Sequence, residues 1–79
     1  MNTRKGTQVE TVKNVDNIKQ RYTPGTKIRL IHMEGEPQMK PGIVGTVDMV
    51  DDIGQIHMHW ETGSSLALNV GVDEFEVIR

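Results

Sequence analysis

Residues 42–69, GIVGTVDMVDDIGQIHMHWETGSSLALN, decide the fold. Alternation is strict in QIHMHW, where Ile56, Met58 and Trp60 point one way and Gln55, His57 and His59 the other. On the N-terminal side, IVGTVDMV carries the same half-buried pattern around Val47. Asp51-Asp52-Ile53-Gly54 lies between these stretches, with glycine supplying the backbone freedom that a tight turn needs. A second turn, Glu61-Thr62-Gly63, leads into SSLALN, where Leu66 and Leu68 repeat the alternation. Three short strands and two tight turns make an antiparallel meander.

Working outward, TKIRLIHM predicts a strand before the meander. Ile28, Leu30 and His32 would share one face, with Lys27, Arg29 and Ile31 on the other. Residues 34–42, EGEPQMKPG, contain two prolines and two glycines and predict a long irregular loop with Met39 exposed. Val70-Gly71-Val72-Asp73 breaks the alternation and predicts one turn of tight helix. A last strand, EFEVI, follows with Phe75 and Val77 on one face. Upstream, Val9, Val12, Val15, Ile18 and Tyr22 draw one apolar stripe on a helix. Thr7 and Glu10 have the form of a capping box, and Thr23-Pro24-Gly25 ends the helix. So short a helix must lay its stripe on the rest of the chain.

The layout is therefore a flexible polar N-terminus over 1–11, an amphipathic helix over 12–22 and a β-domain over 23–79. Five short strands, a long first loop and a break before the fifth predict a mainly β fold. The expectation is a small, partly open five-stranded SH3-like barrel preceded by one short N-terminal α-helix. Gly45 and Gly54 fall where such a barrel needs sharp bends or positive backbone angles.

Composition narrows the function. A chain of 79 residues, 35% hydrophobic, is one domain with a small core and a stability of a few kcal/mol. It has no cysteine, so neither a disulfide nor a thiolate metal site can brace it. No apolar run approaches the roughly 20 residues of a membrane span. No apolar stretch follows Arg4 and Lys5 as a signal peptide would require. The expected setting is the cytoplasm. The net charge of −2 is unevenly spread: Arg4, Lys5, Lys13, Lys19 and Arg21 outweigh Glu10 and Asp16, while nine carboxylates dominate residues 22–79. The acidic β-domain repels phosphate, so nucleic acid could associate only through the basic N-terminal arm. A solvated tail is the simpler account of that arm.

Few residues carry candidate chemistry. His57 and His59, two apart on a strand, could share a metal with His32, but no cysteine or carboxylate spacing completes a site, and exposure on the outer face explains them. No metal or cofactor is expected. Trp60 could line a groove, yet in a chain with one Tyr and one Phe it is worth more in the core, where its burial contributes about 3 kcal/mol. Glu61, Ser64 and Ser65 could meet a partner at the rim, although turn chemistry alone accounts for them. Met39 and the other methionines suit an adaptable protein contact. No nucleophile elbow or paired carboxylates point to an enzyme.

YTPGTKIRLIHM, PGIVGTV and VDDIGQIHMHWETGSSLALNVGVDEFEVI together resemble the domain-of-unknown-function family numbered 4314. The likeness lies in the tyrosine and Pro-Gly-Thr before the first strand, the Pro-Gly before Gly-Thr-Val, Asp-Asp-x-Gly, Ile-His-x-x-Trp, Gly-Ser-Ser-Leu and Gly-Val-Asp. It covers roughly residues 12–79, and one departure is Thr23 between Tyr22 and Pro24. The resemblance implies a short protein of bacterial phages and mobile elements, with no established activity attached. The expectation is a non-enzymatic binding module that contacts another protein or a second copy of itself, with no membrane partner. The alternatives are nucleic-acid association through the basic arm and capture of a small ligand, such as a nucleotide signal, between copies.

Overall fold

Each alternating stretch of the chain becomes a strand. The computed structural model describes residues 14–78. The expected flexible N-terminus, the capping box and the first two residues of the expected helix lie outside the described residues. The elements are α1 (Val15–Arg21), β1 (Lys27–His32), β2 (Val44–Val50), β3 (Gln55–Trp60), β4 (Leu68–Asn69) and β5 (Glu74–Val77). They form one antiparallel sheet in the order β4-β3-β2-β1-β5. No ladder joins β4 to β5 among the described residues, so the sheet is open with two edges. Among the described residues, no helix is long and apolar enough to cross a membrane.

The core is one face of this sheet. Ile28, Leu30, Val47, Val50, Ile56, Met58, Trp60 and Leu68 are buried together with Met33 and Met39. In β3 the alternation holds throughout: Ile56, Met58 and Trp60 are inside. In β1 it fails after Leu30. Leu30 pairs with Phe75 and His32 with Glu74, so Ile31 is an extra, bulged residue. The bulge turns His32 outward and Met33 inward, against the expected shared face of Ile28, Leu30 and His32. A second bulge at Asp48, between the Val47–Met58 and Met49–His57 pairs, brings Val50 inside as well.

Other expectations need correction. Met39 is not exposed on its loop; only 5% of it is accessible, and it packs into the core with Met33. The loop curls inward because the Met39 N–H donates to the Glu36 carbonyl at 3.0 Å, and the Glu34 N–H donates to the Asp73 carboxylate at 2.9 Å. Of SSLALN only Leu68 and Asn69 are strand. The carbonyl oxygens of Ser64 and Leu66 are taken by the backbone and indole N–H groups of Trp60, at 2.9 and 2.8 Å, so this stretch bends around the ring. The expected tight helix at 70–73 is a turn, closed by the N–H groups of Val72 and Asp73 donating to the Asn69 carbonyl.

Helix α1 docks on its own sheet. Gly54, at φ 87°, makes the β2–β3 turn, and a Cβ there would stand 3.4 Å from Ile18 and 3.5 Å from Val15. The far end of the helix is held by Tyr22, whose ring meets Phe75 of β5 edge-on at 5.6 Å.

Gly45 plays a different part from the one expected. Its backbone angle is not positive. Instead, a Cβ would stand 2.5 Å from Cε3 of Trp60, its cross-strand partner. The indole occupies the space that a side chain would need. Gly45→Ala should cost about 1–3 kcal/mol, the usual penalty of overpacking, and red-shift Trp60 fluorescence as the ring is displaced. Urea denaturation followed by that fluorescence measures both. An unchanged midpoint would contradict the packing described.

Candidate functional site

A groove of about 650 Å³ runs beside α1. Val15 and Ile18 line it from the helix, Tyr22 from just past the helix end, Ile53 from the β2–β3 turn, and Val70 and Val72 from the β4–β5 turn. The turns present these side chains because their backbones are fixed by polar contacts. Asp51 Oδ1 accepts from the N–H groups of Ile53 and Gln55, at 3.1 and 2.9 Å, which holds the β2–β3 turn. Asp73, only 8% exposed, accepts from the N–H groups of Glu34 and Asn69, at 2.9 and 2.8 Å. A buried carboxylate is tolerated there because two backbone donors satisfy it.

The accessibility of the lining is unusual. The large exposed apolar residues among those described are Ile31, Met49, Ile53, Val70 and Val72, and the last three all line this groove. Ile53 is 76% exposed, Val72 56% and Val70 46%. The described polar residues on the lining are Asn14, Asn17, Asn69, Arg21, Asp52 and Tyr22. Such a surface can bury apolar side chains, and the described residues that line it include no histidine, serine or cysteine.

None of the rim residues singled out from the sequence lines this groove. His32 is exposed, 3.4 Å from Glu34. His59 is exposed, 3.7 Å from Asp48. His57 is half-buried, with Nε2 2.8 Å from Asp51 Oδ2. Each histidine thus lies beside a different carboxylate. Among the described residues, no cluster of three or more His, Asp or Glu side chains could hold a metal. Met39 and Trp60 are core residues. The Glu61 carboxylate accepts from the Val44 N–H at 3.0 Å, Ser64 Oγ accepts from the Leu66 N–H at 3.2 Å, and Ser65 is exposed. Of the basic arm, Arg4, Lys5 and Lys13 lie outside the described residues. Lys19 pairs with Asp52 at 3.0 Å, and Arg21 lines the groove. Ile53, Val70 and Val72 were the missed residues. Their signal was branched apolar side chains within DDIG and NVGVD, where turn chemistry favours polar ones.

Fold and groove define a small antiparallel β protein with one helix laid against its sheet and an exposed apolar trench beside that helix. The chain belongs to the family described as Domain of unknown function (DUF4314), whose model matches residues 11–78. No curated protein and no solved structure is similar enough to count as a match.

Asp51 also gives the fold a pH dependence. The hydrogen bond from His57, followed by that from the Gln55 N–H, holds its carboxyl below the ordinary 3.8. The unfolded chain therefore takes up this proton first as pH falls. The stability from Asp51 is complete above the ordinary value and is lost as pH drops through the lower folded one. Asp51→Asn should flatten the acid limb, losing less melting temperature between pH 5 and pH 2.5 than the unsubstituted chain. Thermal melts across that range measure the difference, and parallel acid limbs would contradict the role given to Asp51.

Proposed function

We propose that this chain is a non-enzymatic binding module that recognises protein by burying the apolar groove beside α1. The observation that carries this reading is the convergence of Ile53, Val70 and Val72, all well exposed, on a single trench. Isolated exposed apolar residues are ordinary, whereas a cluster rimmed by polar groups marks an interaction surface. The amides of Asn14, Asn17 and Asn69 could pair with a partner's polar groups around the apolar patch.

We read the sheet itself as an SH3-like barrel. The strand order, the bulges at Ile31 and Asp48 and the one-faced core support that reading, since bulges bend and twist a sheet toward closure. A cytoplasmic setting, in a protein carried by a phage or mobile element, fits the cysteine-free composition and the family resemblance.

Val72→Asp tests the binding reading, because the side chain is exposed and the fold should survive its replacement. A tagged wild-type chain should retain a protein partner, itself or another, that Val72→Asp loses at unchanged melting temperature. Equal retention by both chains would overturn it. So would binding to single-stranded nucleic acid that weakens steeply with salt and disappears when Arg4, Lys5 and Lys13 are replaced by alanine.

A further inference from the structure

We propose that the occupant of the groove is a second copy of the chain. The two copies are related by a two-fold axis, with Ile53, Val70 and Val72 of each covering those of the other. This rests on the reading of the groove as a protein-binding surface and names its partner.

The chemistry of the lining is self-matching. A two-fold contact joins the same patch on both copies, so a residue i that meets j is matched by a j that meets i. The apolar part of the groove satisfies this by itself, since branched aliphatic side chains pack against their own kind. The charged part satisfies it as well. Among the described residues that line the groove there is one cation, Arg21, and one anion, Asp52. Arg21 of each copy can therefore face Asp52 of the other. The Asp52 side chain is almost fully exposed, and Lys19 engages only its Oδ1, at 3.0 Å. No described residue forms an ion pair with Arg21. The chain's net charge of −2 sets only weak long-range repulsion against association.

The chain's own N-terminal sequence is a poorer occupant. Residues 1–8, MNTRKGTQ, include one large apolar residue, Met1.

Sedimentation velocity of the full chain over a dilution series tests the proposal. A concentration-dependent dimer is expected. Ile53→Glu should raise its Kd at least tenfold with an unchanged circular dichroism spectrum. Asp52→Arg should also weaken the dimer by setting two cations face to face, and adding Arg21→Asp should restore it, which a merely structural role for these residues would not do. A wild-type chain that stays monomeric at ~200 μM overturns the proposal. So does a dimer that survives both Ile53→Glu and Val72→Asp. A monomer that dimerises only after deletion of residues 1–13 overturns it too, and makes the chain's own N-terminus the occupant. A monomer that still captures another protein through Val72 separates this failure from failure of the broader reading.

Discussion

The contact between Trp60 and Gly45 organises the molecule. A single tryptophan in a chain this short is the largest apolar surface available, and it must be buried within a thin sheet. Glycine on the neighbouring strand makes that possible, because the indole lies where any side chain would stand. The ring then imposes order around itself. Its N–H takes the Leu66 carbonyl, and its backbone N–H takes that of Ser64. The segment after β3 is wrapped around the ring and reaches the sheet again only at Leu68. A small core can be completed this way without a long fourth strand.

Two carboxylates hold the periphery. Asp51 ties the β2–β3 turn through two backbone N–H groups and His57. Asp73 ties the long loop to the β4–β5 turn from a nearly buried position. Each turn so fixed carries apolar side chains that face solvent beside α1. Polar contacts thus hold these apolar side chains out of the core.

Much of the frame was legible in the sequence. QIHMHW has the bounds and the burial that its alternation predicts, and β1, β2 and β5 lie where the pattern puts them. The helix stripe of Val15, Ile18 and Tyr22 does meet the sheet and groove, through Gly54 and Phe75. The misses have local causes. A bulge shifts alternation by one residue without changing composition, so His32 and Met33 exchanged sides. Met39 lies among prolines and glycines that suggest exposure, and only the inward curl of the loop buries it. SSLALN lost its early residues to Trp60, a competition between side chain and ladder that periodicity does not record. The groove was hidden for a related reason: Ile53 is far in sequence from Val70 and Val72, and all three belong to turns, which a search for periodic patterns passes over.

Everything placed around the groove presupposes a rigid frame closed over Trp60. Hydrogen exchange followed by NMR tests that most directly. The Trp60 indole N–H and the backbone amides of Leu30 and Val47 should exchange only through global unfolding, sharing one free energy that matches denaturant unfolding. An indole proton that exchanges orders of magnitude faster than those amides would show that the ring is not sealed against Gly45, and the account would fail at its centre.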